Sequence, residues 1–98
     1  MADSIMLDKA KDFAVEIINL CKSIKENHRE GVMTNQLIRS GTSVGANIHE
    51  SKYAHGTADF IAKMQIALKE CYESEYWLEL LNRTGYLCDE QYKSILNN

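Results

Sequence analysis

Apolar residues recur every three or four positions along most of the chain, which is the spacing of one face of an α-helix. The first such segment predicts a helix from about Asp3 to about Asn27, with Asp3 or Ser4 as its cap and Gly31 just past its end. The core stripe of this helix consists of Phe13, Ile17, Leu20, Cys21 and Ile24.

A second segment predicts a helix from Thr34, as its cap, to about Ala54. The core stripe of this helix is Leu37, Gly41, Val44 and Ile48. Each glycine inside a helix costs about 1 kcal/mol relative to alanine, so packing against the rest of the fold must offset the cost of Gly41 and Gly45. Two glycines one turn apart also indicate that another helix approaches closely.

The third segment predicts the longest helix, from Thr57 as its cap to about Thr84, with Gly85 as its stop. One stripe along it has the four-and-three spacing of antiparallel bundle packing. That stripe consists of Phe60, Met64, Ala67, Cys71, Ser74, Leu78 and Leu81.

A second stripe follows the same spacing on the back of this helix. It consists of Ala62, Ile66, Lys69, Glu73, Tyr76 and Leu80, with Trp77 beside it. A surface helix of a monomer needs only one apolar stripe. The second stripe is therefore a candidate subunit interface, with Ile66, Tyr76 and Leu80 as its apolar residues and Glu73 at its polar side.

The last segment begins at Asp89, the predicted cap of a helix that includes Tyr92, Ile95 and Leu96. Little more than two turns are too short to cover the first and third helices along their length. We therefore predict an all-α fold, an antiparallel up-down four-helix bundle with a short or truncated fourth helix, in which residues 1–98 form a single domain.

Composition supports a globular, intracellular chain. There is no proline to interrupt a helix, and no apolar run reaches the 18–20 residues of a membrane span. Three aspartates near the start argue against a signal peptide. The three cysteines cannot all pair within one chain and form no Cys-x-x-Cys motif, so we expect free thiols in a reducing cytoplasm.

The net charge of −3 argues against a protein that binds mainly to phosphate groups. A chain with this net charge can still carry a local basic patch. Lys22, Lys25, Arg29 and Lys52 are the candidate nucleic-acid contacts if the fold brings them to one end of the bundle. Scattered lysines on a solvated helical surface are the simpler interpretation.

Motifs of catalysis and metal binding give no support for an enzyme. Gly41-Thr42-Ser43-Val44-Gly45 matches the hydrolase nucleophile elbow in letters, but that elbow needs a strand before it and a larger sheet around it. His49 and His55 are six residues apart and do not share a helix face, and no Glu-x-x-His occurs. We predict no cofactor and no metal. A catalytic site around Asn47 and Glu50 is the least favoured hypothesis.

Residues 36–50, with the sequence QLIRSGTSVGANIHE, resemble the signature of the bacterial four helix bundle protein family, also called the intervening-sequence or ribosomal S23-like proteins. Asp59-Phe60, Ile66-Ala67 and Gly85-Tyr86-Leu87 resemble it further on. The resemblance implies an up-down bundle and a ring-like homo-oligomer, commonly a pentamer. A related fold, the accessory protein of diversity-generating retroelements, engages a reverse transcriptase and nucleic acid.

Within that signature, Arg39, Ser43, Asn47 and Glu50 project from one side of the second helix, opposite its core stripe. Three interpretations are open: hydrogen bonding to a neighbouring helix or subunit, a solvated face, or a ligand site. The leading functional hypothesis is a non-enzymatic module that associates with itself and serves as a scaffold. The alternative is an RNA- or DNA-binding accessory protein.

Overall fold

The computed structural model describes residues 2–97 of the chain, and the side chains of residues 5–97. Over that range all regular secondary structure is helical. The helices are α1 (Ala2–His28), α2 (Val32–Ser51), α3 (Thr57–Arg83) and α4 (Asp89–Leu96). The predicted all-α bundle with a short fourth helix is confirmed.

Helices α1 and α2 run antiparallel and approach closely at a glycine. The Sγ atom of Cys21 donates a 3.6 Å hydrogen bond to the carbonyl of Thr34 near one end of the pair. A Cβ atom at Gly41 would lie 3.1 Å from Cγ2 of Ile17, whereas one at Gly45 would lie 3.5 Å from the Cβ of Ala10. The close approach that the two glycines predicted is therefore found, and it is tightest at Gly41.

Helix α2 lies between α1 and α3, with its core stripe fully engaged. Leu37, Gly41, Val44 and Ile48 are all buried, as predicted. The packing forms two apolar clusters on either side of the level of Gly41. One centres on Ile17, Cys21, Ile24, Leu37, Leu78, Leu81, Leu87 and Ile95. The other contains Leu7, Ala10, Val44, Ile48 and Ala67.

The turn between α1 and α2 differs from the prediction. Arg29, with a φ angle of 57°, is the left-handed residue that ends α1, whereas Gly31 precedes α2 with a φ angle of −120°. Thr34 lies inside α2, and the carboxylate of Glu30 accepts hydrogen bonds from the backbone N–H groups of Met33 and Thr34, both at 3.0 Å. The Glu30 carboxylate thus accepts hydrogen bonds from the free backbone N–H groups at the start of α2. The sequence had predicted Thr34 in this capping role.

Thr57 and Asp89 are likewise the first residues of their helices and not the caps; the capping positions are Gly56 and Cys88. The predicted caps Asp3 and Ser4 have side chains outside the described residues. Asp59 lies in the first turn of α3, and its carboxylate accepts a 3.2 Å hydrogen bond from the backbone N–H of His55, just before the helix.

Gly85 ends α3 as predicted, with a φ angle of 90°. The N–H of Tyr86 donates to the carbonyl of Leu81 at 2.9 Å, and the N–H of Gly85 donates to that of Asn82 at 3.2 Å, which is the Schellman pattern. The amide of Asn82 also donates to the Leu87 carbonyl at 3.0 Å and to the Asp89 carboxylate at 2.8 Å. These bonds fix the start of α4 against the end of α3.

The core stripe predicted for α3 is only partly confirmed. Ala67, Ser74, Leu78 and Leu81 are buried, but Phe60 and Cys71 are exposed. Cys71 lines a groove of about 250 Å³ that reaches the Leu96 end of α4. The stripe is covered where α2 and α4 reach it, and the eight residues of α4 reach only part of its length.

Candidate interaction surface

The signature residue Arg39 joins α2 to α3 through two carboxylates. Its Nη1 atom lies 3.1 Å from Oε2 of Glu70, and its Nη2 atom donates to Oε2 of Glu73. Its Nε atom donates a 3.3 Å hydrogen bond to Oε1 of Gln36 on its own helix. For Arg39, the structure favours the prediction of hydrogen bonding to a neighbouring helix.

The Glu73 carboxylate accepts hydrogen bonds from two side chains. Besides Arg39, it accepts a 3.1 Å hydrogen bond from Nε1 of Trp77, one turn further along α3. The bond from Trp77 is the largest influence on the pKa of Glu73, and with the bond from Arg39 it keeps that pKa below its ordinary value. The carboxylate of Glu73 and the indole N–H of Trp77 are thus both engaged in hydrogen bonds within the chain.

Ser43, Asn47 and Glu50 bond within their own helix or face solvent. The Ser43 hydroxyl donates to the Arg39 carbonyl at 2.7 Å, and the Asn47 amide donates to the Ser43 carbonyl at 2.8 Å. Glu50 is exposed. Arg39 and Glu50 are separated by about 16 Å along the helix axis, at 1.5 Å per residue. Arg39 and Glu50 are therefore too far apart to pair directly.

Several large apolar residues of α3 are exposed, including two from the predicted second stripe. Ile66 is 41% exposed and Tyr76 is 57% exposed, whereas Trp77 and Leu80 are half-buried. The Tyr76 and Trp77 rings meet edge to face, with centroids 5.1 Å apart. The stripe therefore has an open apolar part, Ile66 and Tyr76, beside a polar part that binds Arg39.

Sequence reasoning missed a further exposed set on the other flank of α3. Ile61, Leu68 and Tyr72 are exposed by 48%, 55% and 63%. With Gln65 they follow a four, three and four spacing, and this periodicity was available in the sequence. A helix with apolar residues on every side offers several stripes of the same period, so the period alone does not distinguish the buried stripe from the exposed ones.

The four candidate nucleic-acid contacts do not lie together. Lys22, Lys25 and Arg29 lie at the end of α1, where the Lys25 amine donates to Oδ1 of Asn35. Lys52 follows the end of α2, and because the two helices are antiparallel it lies at the opposite end of the bundle. The length of α2, 20 residues, separates these ends by about 30 Å.

Histidine and cysteine side chains form no joint site in the described part of the chain, where no cluster of metal-binding side chains occurs. His49 packs edge to face on Tyr53, with centroids 5.6 Å apart. All three cysteines are free thiols. Burial raises the pKa of the Cys21 thiol to about 11, although nearby Lys25 lowers it, so this thiol is unsuited to nucleophilic chemistry.

A wide cleft of about 840 Å³ separates α1 from α4. Its lining is mixed, with amide and hydroxyl groups such as Asn19, Ser23 and Gln91 beside apolar Leu20 and Ile95. In the part of the chain that the structure describes, no helix combines the length and the apolar character that a membrane span requires.

Comparison with known proteins agrees with the architecture. The profile of the family described as 23S rRNA-intervening sequence protein matches residues 2–98. Among solved structures, the chain is similar to a protein of unknown function from the S23 ribosomal protein family of Bacteroides thetaiotaomicron VPI-5482. The two are 55% identical with a TM-score of 0.96, over 99% of this chain and 87% of the other. No curated protein matches.

Proposed function

The chain belongs to the 23S rRNA-intervening sequence protein family, and we propose that it is a non-enzymatic helical module of the cytoplasm that associates with further copies of itself and serves as a scaffold. The proposal rests on the surface of α3. A helix with apolar side chains on all sides belongs in a buried position, and the chain's own helices cover only one side of α3.

The exposed residues of α3 carry this proposal. Five large apolar side chains between positions 61 and 76 are exposed by 41% to 63%: Ile61, Ile66, Leu68, Tyr72 and Tyr76. Single exposed apolar residues are ordinary, but several large ones gathered on one helix are typical of a protein interface. Tyrosine is also enriched in interfaces, because its ring is buried while its hydroxyl finds a polar partner.

The proposed assembly is a closed ring, for which the family resemblance implies five subunits. The proposal includes no catalytic role, and its support is that Ser43 and Asn47 bond to backbone carbonyls of their own helix while Arg39 binds Glu70 and Glu73 of α3. Free thiols at all three cysteines support the cytoplasm as the compartment.

Light scattering coupled to gel filtration tests the proposal on the whole chain. We expect a single species several times the 11.2 kDa mass of the chain at micromolar concentration, and its mass gives the ring size. Tyr76→Lys should shift that species toward monomer. Tyr53→Lys is the matched control, because Tyr53 is 73% exposed but lies outside α3. A wild-type monomer would rule out self-association.

RNA binding is the alternative, and the family description is the observation that favours it. The structure leaves a smaller basic patch than the sequence suggested, with Lys22, Lys25 and Arg29 at one end of the bundle and Lys52 at the other. Replacing the first three by glutamate should abolish salt-sensitive RNA binding. Lys52→Glu is the control that should leave it unchanged. If the protein does not bind RNA even at low salt, this function is excluded.

A further inference from the structure

A groove lined mainly by apolar side chains lies at the C-terminal end of α4, where all four helices contribute to its walls. Its volume is about 250 Å³, and Ile95 and Leu96 line it on the α4 side. The apolar lining from the other three helices includes Ala10, Phe13, Val44 and Leu78. An apolar cavity of about 150 Å³ is large enough to bind benzene, so this groove has room for a larger apolar group, such as a chain of about eight carbon atoms.

The floor of the groove is part of the core, whereas its rim is open to solvent. Ile48 and Leu78 are only 7% and 1% exposed. Met6 and Leu96 are 40% and 42% exposed, and Cys71 is exposed as well. A ligand therefore has access from solvent, and it covers apolar side chains that are otherwise partly in water, which favours binding of an apolar group.

A polar recess of about 370 Å³ adjoins the groove along α1. Lys9 and Phe13 line both spaces, so the recess and the groove lie side by side. The rest of the recess is lined by Asp12, Glu16 and Asn97. A molecule whose apolar chain lies in the groove has its polar end at this recess.

The charge around the two spaces is mainly negative. Glu75 lines the groove, and Asp12 and Glu16 line the recess. Among the described residues that line either space, Lys9 is the only basic one. Helix α4 also ends here, and the C-terminal end of a helix carries a partial negative charge. A cationic head group is complementary to this setting, whereas a carboxylate is not.

We propose that the groove binds a small amphiphilic amine, with its alkyl chain on the apolar floor and its ammonium group at the recess beside Asp12. The apolar contact supplies most of the affinity, and the carboxylates select the sign of the charge. The site is separate from the exposed side chains of α3 on which the proposed self-association rests, so either proposal can fail without the other.

The thiol of Cys71 reports on occupancy, because Cys71 lines the groove and a bound ligand shields it from a thiol reagent. Cys88 is exposed outside the groove and is the internal control in the same molecule. The probe is octylamine, whose amine is protonated at pH 8 as that of lysine is. We expect it to slow the labelling of Cys71 by iodoacetamide about threefold at about 1 mM and to leave Cys88 unchanged. Mass spectrometry of the labelled peptides measures both rates.

Two further probes separate the chain from the charge. Octanoate has an equally long chain with the opposite charge, and propylamine has the same head group on a short chain, so we expect neither to protect Cys71 at the same concentration. Equal protection by octanoate would overturn the assignment to amines, and no protection by octylamine would exclude the site. Cys21 should stay unlabelled throughout, because it is buried. Labelling of Cys21 would show that the amine loosens the fold, which contradicts a defined site.

Variants at the recess test where the ammonium group lies. Asp12→Asn should weaken the protection by octylamine about 2- to 5-fold, in line with an exposed ion pair, and Lys9→Gln should strengthen it. Glu26→Gln is the matched control, because Glu26 is an exposed carboxylate of α1 that lines neither space. Equal protection in Asp12→Asn, Glu26→Gln and the wild type would contradict the proposed position of the head group.

Discussion

The hydroxyl of Ser74 on α3 donates a 2.9 Å hydrogen bond to the hydroxyl of Ser40 on α2, and neither residue is accessible to solvent. The proton of Ser40 is donated in turn to the carbonyl of Leu37, at 3.3 Å. Two small polar residues in contact at the centre of the bundle let the helices approach closely without an unsatisfied polar group.

Because of this contact, we expect the stability of the protein to depend more on the size of the side chain at position 74 than on its polarity. Ser74→Ala should cost about 1 kcal/mol or less, because Ser40 keeps its bond to Leu37. Ser74→Val adds methyl groups at a fully buried position and should cost about 1–3 kcal/mol through overpacking. Urea unfolding midpoints of the two variants measure the difference. Equal midpoints would show that the helices have room to separate.

The two glycines of α2 are expected to respond oppositely to alanine. A Cβ at Gly45 makes ordinary contact with Ala10, so Gly45→Ala should stabilise the protein by about 0.5–1 kcal/mol through helix propensity. At Gly41 the Cβ would press on Ile17, a fully buried β-branched residue with restricted χ1, so Gly41→Ala should be destabilising. Thermal unfolding of both variants measures the two effects. If both substitutions stabilise the protein, the predicted clash at Gly41 is wrong.

The cap at Glu30 should make stability depend on acid pH. Burial alone would raise the pKa of Glu30, but hydrogen bonds from Met33, Thr34 and Val32 outweigh it and hold the pKa below the ordinary 4.5. The stabilisation from this carboxylate is therefore complete above about pH 4.5 and is lost as the pH falls through the lower folded-state pKa.

Glu30→Ala should accordingly cost about 1 kcal/mol at pH 7, as for the loss of a helix cap. The difference from wild type should shrink when unfolding is measured at a pH below the folded-state pKa. Glu26→Ala is the control, because Glu26 is exposed in the last turn of α1. A cost for Glu30→Ala that does not vary with pH would contradict the capping role.

The helices and most of the core could be predicted because their signal is local. The 3.6-residue periodicity identified all four helices, and the glycines of α2 and Gly85 marked a close approach and a stop. The caps could not be predicted in the same way. Glu30 acts from the turn before the helix, and several residues near each boundary have the oxygen atoms to cap it.

The candidate site was harder because its partners are distant in sequence. Arg39 meets Glu70 and Glu73 more than thirty positions away, and no local pattern encodes that contact. Lys52 lies at the opposite end of the bundle from Lys22 because α1 and α2 run antiparallel. A list of basic residues does not contain that direction. On α3, apolar residues occur on all sides, so the periodicity alone did not tell which stripe the bundle buries.

Thiol chemistry should distinguish the three cysteines. Cys21 is inaccessible and its pKa is raised to about 11 by burial, so it should react with a thiol reagent only when the protein unfolds. Cys71 and Cys88 are exposed and should react in the folded state. A time course at pH 8 should show two fast thiols, and a third after urea is added. Three fast thiols in the folded protein would contradict the packing of Cys21.

Burial raises the pKa of the Cys71 thiol, and the negative charge of Glu75 raises it further. Glu75→Gln should therefore accelerate the reaction of Cys71 at a fixed pH, because a larger fraction is thiolate. Glu90→Gln serves as the control, since Glu90 is exposed on α4 and does not contribute to that shift. Equal rates in the two variants would show that Glu75 does not act on this thiol.

Trp77 offers a direct report on the bond network of the signature residue. It is the only tryptophan in the chain, and its Nε1 atom donates to the carboxylate that Arg39 also binds. The bonds from Trp77 and Arg39 lower the pKa of Glu73, so protonation should occur only below the ordinary value of 4.5. Trp77 fluorescence should change in that acidic range, and Glu73→Gln should remove the transition.

The same network should contribute modestly to stability. The Arg39 side chain is 47% exposed and that of Glu73 is 32% exposed, so solvent screens their attraction. We expect Arg39→Ala to cost about 1 kcal/mol at neutral pH, and less once Glu73 is protonated, because its folded-state pKa is lowered. Arg83→Ala, which breaks a more exposed pair with Glu79, should cost less than about 0.5 kcal/mol. Equal costs for the two arginines would show that the bridge between α2 and α3 is no stronger than a surface ion pair.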